Sequence, residues 1–256
     1  GWNAAVLTQA PDWYSSPDAR RIADNVISHQ SREGGWPKNT RLDEPVRADA
    51  DPGLANTFDN QATTLPLAFL ARMTTATGDA AYATAFHRGL DYVLKAQYPN
   101  GGWPQYYPLR GGYHDHLAFN DDAMVRVLGL LKDGAAGRQP YEFADAAQRA
   151  RAALAVERGV DVILKAQVRQ GDRLTVWCAQ HDAVTLAPAW ARKFEPPSLS
   201  GSESVGVVRL LISLDNPSPE VIAAVNAAAT WFETSAIRDT RLETYTNADG
   251  QPDRRL

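Results

Sequence analysis

The sequence predicts an all-α fold in which helical hairpins are arranged around a common centre. Three observations carry this. One phrase is used twice and then begun again: Val-Ile-Ser-His-Gln-Ser-Arg-Glu-Gly-Gly-Trp-Pro at 26–37, Val-Leu-Lys-Ala-Gln-Tyr-Pro-Asn-Gly-Gly-Trp-Pro at 93–104, and Val-Ile-Leu-Lys-Ala-Gln-Val-Arg-Gln-Gly at 162–171. Its anchor glutamines, Gln30, Gln97 and Gln167, recur about every 70 residues, the mark of one supersecondary unit used several times. Each repeat also pairs an amphipathic helical segment with one that is apolar nearly all round, as buried helices are.

The first amphipathic segment starts at Ser16-Pro17-Asp18, where proline's missing N–H costs nothing. The second follows Gly78, with Asp79 as N-cap, and sets Tyr82, Phe86, Leu90, Val93 and Leu94 on one helical face. The third ends in the Gln167 phrase, and a fourth, Val221 to Ala236, keeps the same phase. Gly34, Gly101 and Gly171 each follow the anchor glutamine by four residues, where left-handed glycine is expected to end the helix. The apolar helices start at Thr57-Phe58-Asp59-Asn60-Gln61-Ala62, Ala118-Phe119-Asn120-Asp121-Asp122-Ala123 and Leu199-Ser200-Gly201-Ser202-Glu203-Ser204. Loops at 38–56, 104–117 and 168–199 join them, and loops of more than about 15 residues are usually functional. The last contains Leu174-Thr175-Val176-Trp177-Cys178, a minor β signal.

At 256 residues, with 44% hydrophobic and 22% charged, the chain reads as one globular domain, residues 1–256. No apolar run approaches the roughly 18 residues of a membrane span. The start, Gly-Trp-Asn-Ala-Ala-Val-Leu-Thr, lacks the features of a signal peptide, as a mature secreted protein also would. One cysteine, Cys178, excludes an internal disulfide, and a net charge of −4 argues against nucleic acid.

Asp59, Asp121, Asp122 and Glu203 all lie in the first turn of an apolar helix. Each alone reads as a capping acid worth about 0.3–1 kcal/mol. Together, on helices that start at the same end of one centre, they converge on one cleft and repel unless a cation joins them. An oxygen-only set, with Asn60 and Asn120 as neutral donors, suits calcium, which takes about 6–8 oxygens. His114 and His116 read as a solvated loop, and His29 and His87 as helix residues. Trp36, Trp103, Tyr106 and Tyr107 follow the glycine turns and suit either a sugar-facing wall or a plug inside each hairpin. Arg192 stands on a constrained segment between Pro188-Ala189-Trp190 and Glu195-Pro196-Pro197.

Gly34-Gly-Trp-Pro-Lys-Asn39, Thr57-Phe-Asp-Asn60, Gly101-Gly-Trp-Pro-Gln105, Phe119-Asn-Asp121, the run Trp177-Cys-Ala-Gln-His-Asp-Ala-Val-Thr-Leu-Ala-Pro-Ala-Trp-Ala-Arg192 and Pro197-Ser-Leu-Ser-Gly201 together resemble polysaccharide lyase family 10 over about residues 11–237. The resemblance implies an (α/α)3-type toroid and a secreted, monomeric pectate lyase that cleaves α-1,4-polygalacturonate by calcium-dependent elimination. It makes Arg192 the base that removes the C5 proton. Asp59 and Asp121 become acids of the calcium and substrate cleft, Asn120 and Asp122 further metal donors. Asp59, Lys38, Asn39, Tyr107, His181 and Lys193 are then expected against substrate. Members of that family continue with further arginine-bearing segments past the position of Leu256. The expectation is therefore a catalytic domain either shortened at its C-terminal end or with a differently built cleft.

Arginine is an awkward base, since its pKa lies above about 12. The residues alone would favour Lys193 or His181; the resemblance selects Arg192. Two enzyme alternatives share the architecture. A terpene-cyclase-like toroid would match Gln-x-x-x-Gly-x-Trp at 30–36 and 97–103 but needs an Asp-x-Asp-Asp run, and 121–122 lacks its start. A glycoside hydrolase needs only two opposed carboxylates. A polysaccharide-binding toroid without catalysis is the third.

Overall fold

The computed structural model describes residues 2–255. Among them are seven α-helices: α1 (Pro17–Ser28), α2 (Thr64–Thr77), α3 (Ala80–Lys95), α4 (Ala123–Ala135), α5 (Ala146–Ala166), α6 (Gly201–Ile212) and α7 (Pro219–Ser235). Strands are short: β1 (Leu117–Ala118), β2 (Arg169–Gln170), β3 (Arg173–Leu174), β4 (Gln180–His181), β5 (Glu243–Thr246) and β6 (Pro252–Arg255). They pair antiparallel as β1–β4, β2–β3 and β5–β6. The protein is all-α and toroid-like. The inner helices α2, α4 and α6 pack one on the next, and the outer helices α1, α3, α5 and α7 do the same behind them.

Local chemistry sets the helix ends. Ser16 Oγ accepts the Ala19 N–H at 3.2 Å with Pro17 in the first turn, and Asp79 accepts the Ala81 N–H at 2.9 Å. Asp145 and Gln148 form a reciprocal capping box on α5. Gly78, left-handed at φ 68°, stops α2. The inner helices bury Leu67, Phe69, Leu70, Met73, Met124, Val127, Leu128, Leu131, Val207 and Leu211 almost completely.

One device recurs in every repeat. The amide nitrogens of Gln30, Gln97 and Gln167 each donate to two carbonyls. One lies in the following turn, at Gly34, Gly101 and Thr175, and the other on the next outer helix, at Ala85, Ala155 and Ala224. All six distances fall between 2.8 and 3.0 Å. The indoles of Trp36, Trp103 and Trp177 are buried and donate back to Val26, Val93 and Ile163 on the preceding outer helix, at 2.7–2.8 Å. Of the two roles open to the first two tryptophans, plug and sugar wall, the structure gives them the plug.

The glycines do something other than cap. α1 and α3 end at Ser28 and Lys95, well before Gly34 and Gly101. These glycines sit where the turn passes over the next outer helix, with φ of 109° and 101°. A Cβ there would collide with the Arg88 and Arg158 carbonyl oxygens. Close approach is therefore the constraint. Gly171 has open space and serves the β2–β3 turn instead.

The three long loops are laced together at one end. Thr57 bridges to Tyr106, β1 pairs with β4, Cys178 bridges to Leu199 and His181 to Pro188. The tryptophan carbonyls anchor this lacing, since Trp36, Trp103 and Trp177 accept the N–H groups of Thr57, Ala118 and Ser200. Ser200 immediately precedes α6, and Thr57 and Ala118 each lie two residues before the 3-10 turn that leads into α2 or α4.

Gln97→Ala is expected to lower stability by about 1–3 kcal/mol, because two carbonyls lose a shared donor. Urea unfolding measures this; a midpoint equal to wild type would remove the glutamine from the account of the fold.

Candidate active site

The inner helices do not start cleanly. Asp59–Gln61 and Asn120–Asp122 form single 3-10 turns in which two consecutive residues are left-handed. Asn60 and Gln61 have φ of 49° and 63°; Asp121 and Asp122 have 51° and 59°. Left-handed non-glycine residues cost about 1–3 kcal/mol each and persist only where their surroundings impose them. Here the laced loops on one side and the buried helix on the other impose them, and both turns break at the same register. The third inner helix begins directly at Gly201.

These turns open onto a cavity of about 400 Å³ lined by Asn60, Gln61, Asp121, Asp122, Arg126, Ser202 and Glu203. Asp59 is buried beside it. Its Oδ2 accepts the Lys38 ammonium at 2.6 Å, whereas Oδ1 is buried with no partner. Burial works against the Lys38 charge, but the Asp59 carboxylate and Tyr106 outweigh it and hold the ammonium above its ordinary range. The Asp121 carboxyl is pushed up from its ordinary value, first by burial, then by Asp59 beside it and by Glu203; the Asn120 amide at 3.0 Å opposes them.

Two carboxyl groups from successive repeats are thus brought together, one with an orphaned buried oxygen and the other reluctant to ionise. An all-oxygen pair of this kind fits a hard divalent cation. It is a smaller set than the sequence led us to expect. Among the described residues no group of three or more His, Cys, Asp or Glu side chains is gathered as a metal site. Asp122 turns aside to Arg126 at 3.6 Å and packs against Gly206 of α6. Asn120 spends its amide on Asp121. Glu203 binds the Ser200 hydroxyl.

The expected substrate contacts divide. Lys38 sits between Asp59 and Tyr106, whose ring centre is 5.7 Å away, and Asn39 is exposed and accepts from Asn60 at 3.2 Å. Lys193 is exposed beside Arg192. His181 is fully buried, which corrects its expected contact with substrate. Its Nε2 accepts the Cys178 N–H at 2.9 Å and Nδ1 bonds to the Leu186 carbonyl at 2.8 Å. Burial lowers its pKa, so it serves as a neutral post inside the third loop. Tyr107 packs edge-on against Tyr92 and belongs to the wall behind the loop.

Arg192 lies on an exposed turn, its guanidinium engaged by Glu195 and lying 4.9 Å from the Phe194 ring centre. It stays within electrostatic reach of Tyr113 and Asp121.

His114, expected in a solvated loop, is held instead. Its ring is half-buried, bonds to Gln105 at 2.6 Å and packs on Tyr106 and Tyr113. Burial first, then Lys38 and Arg110, lower its pKa. Sequence reasoning passed over Arg110. It lies 3.7 Å from the Tyr106 ring centre and donates to the Gly53 and Ala55 carbonyls. Its one sequence signal was a place in a long loop.

As pH rises past the ordinary aspartate value of 3.8, Asp121 in the folded state keeps a proton that the unfolded chain releases, so ionisation there costs folded-state stability. Asp121→Asn is expected to raise the melting temperature of chelator-treated protein at neutral pH and to leave it unchanged well below 3.8. Equal melting temperatures at neutral pH would count against the carboxyl pair.

Comparison with known proteins agrees with this fold. A sequence-family profile described as pectic acid lyase matches residues 30–256. The chain is similar to the solved structure of a family 10 polysaccharide lyase from Cellvibrio cellulosa, with 38% identity and a TM-score of 0.77, over 87% of this chain and 70% of that one. A point mutant of a family 10 polysaccharide lyase from Cellvibrio cellulosa, solved in complex with trigalacturonic acid, matches at 37% identity and a TM-score of 0.77, over 91% and 73%. A search of curated proteins finds no match.

Proposed function

This chain belongs to the pectic acid lyase family of polysaccharide lyases, and from that premise we propose that it cleaves polygalacturonate by β-elimination, with Arg192 as base and calcium held by Asp59 and Asp121. The observation that carries the reading is the meeting of those two acids, drawn from separate repeats, within electrostatic reach of one arginine. The trigalacturonic acid bound by a 37% identical relative supports the substrate class.

The C5 proton of a galacturonate unit is too weakly acidic for a base in open water. A divalent cation on Asp59 and Asp121 supplies charge neutralisation for the carboxylate next to C5. Arg192 removes the C5 proton, the C5–H electron pair becomes the C4–C5 double bond, the C4–O bond breaks, and the departing oxygen takes a proton from solvent. Arginine is neutral only in alkali; Glu195, Tyr113 and Asp121 favour its charged form, and a cation held by Asp59 and Asp121 would work against them. Activity is therefore expected to rise toward high pH. Lys38, held by Asp59, and the exposed Asn39 and Lys193 are assigned to substrate binding, with Asn120 a further oxygen donor.

Ultraviolet absorbance tests this, because elimination leaves a C4–C5 double bond and hydrolysis does not. Absorbance is expected to rise on polygalacturonate with calcium and to stop with a chelator, and Asp121→Ala should raise the calcium requirement. Activity indifferent to both would remove the metal.

Arg192→Ala should abolish turnover while oligogalacturonate binding persists, since a base acts in the transition state. Full turnover in that variant would remove Arg192 from the mechanism.

A further inference from the structure

Resting on that reading, we propose that Glu195 is a positioning residue for Arg192, and that it decides which guanidinium nitrogen, Nη1, meets the C5 proton. Arg192 needs such a device. Its side chain is 58% exposed, and an unheld arginine samples many rotamers.

The Glu195 carboxylate takes three donors, all from Arg192: the backbone N–H at 3.0 Å, Nε at 2.9 Å, and Nη2. The turn closes on itself, with Glu195 N–H donating to the Arg192 carbonyl at 2.8 Å and Ala191 N–H to the Glu195 carbonyl at 3.2 Å. Pro196 and Pro197 follow and stiffen it. Backbone and guanidinium of one residue thus share one carboxylate, which specifies a single rotamer. The Phe194 ring flanks the guanidinium. With its Nε–Nη2 edge occupied, Arg192 presents Nη1, which has no partner among the described residues.

The arrangement has a cost. The charged or titratable groups that act on the guanidinium are Glu195 on its own turn and, more weakly and at a distance, Tyr113 and Asp121. All three favour its charge, Glu195 most, so the residue that orients the base also makes it harder to deprotonate. Orientation and basicity are set against each other in one side chain.

The test follows kcat, KM and the pH profile of Glu195→Ala and Glu195→Gln with calcium present. Glu195→Ala should lower kcat about tenfold or more with KM little changed, since misplacing a reacting group by about 1 Å costs up to roughly a hundredfold. Glu195→Gln keeps one acceptor oxygen and should recover part of that loss. Both variants should move the rising limb of kcat/KM to lower pH, because the carboxylate charge is gone. Wild-type kcat and an unmoved limb in Glu195→Ala would overturn the proposal, and so would a loss confined to KM. Arg192→Ala separates the two failures. If it is inactive while Glu195→Ala is normal, only the positioning role falls; if it is active, the base assignment falls first.

Discussion

The structure depends on a side-chain amide that grips two carbonyls at once. Gln30, Gln97 and Gln167 each tie their own turn to the next outer helix, so every repeat is fastened to its successor by the same pair of bonds. Each bond contributes only about 0.5–1.5 kcal/mol net, but a carbonyl left unpaired in the interior costs about as much again. The tryptophans fasten the turn in the other direction, onto the helix just finished. The grip is not free of cost: the Oε1 atoms of Gln30 and Gln167 are buried without partners.

From this fastening the site is reached in two steps. The stapled turn delivers a tryptophan whose carbonyl accepts an N–H from Thr57, Ala118 or Ser200. That bond fixes the residue from which the next inner helix must start. Thr57 is two residues before Asp59, and Ala118 three before Asp121. Two carboxyl groups far apart in sequence come to lie against one another because the same device sets both helix starts. The strain of the left-handed pairs at Asn60–Gln61 and Asp121–Asp122 is borne by the buried helices that follow.

Much of the site's electrostatics lies in what surrounds the acids. Lys38 satisfies one oxygen of Asp59 and leaves the other without a donor, while Asp121 meets like charge from Asp59 and Glu203. The result is a pair that a cation would relieve. Lys38, Arg110 and His114 gather around Tyr106 on the other side. None of this shows in local spacing. His114 read as a solvated loop residue because its partners, Gln105 and Tyr106, reach it only when the second loop folds back. His181 read as a cleft residue because its run is distinctive, yet backbone groups of its own loop claim both ring nitrogens.

The sequence by itself determined the repeat, the alternation of outer and inner helices, the helix caps at Ser16 and Asp79, and the family to which the chain belongs. These follow from spacing and residue type, which local physical chemistry reads directly. Tertiary structure alone decided that the tryptophans plug, that Gly34 and Gly101 make room for a neighbouring helix rather than end their own, and that Asp59 pairs with Asp121 while Asp122 turns to Arg126. The reason is physical. Burial, unpaired buried oxygens and like-charge contact are properties of what surrounds a side chain, and residues from three separate loops supply those surroundings only once the repeats are fastened together.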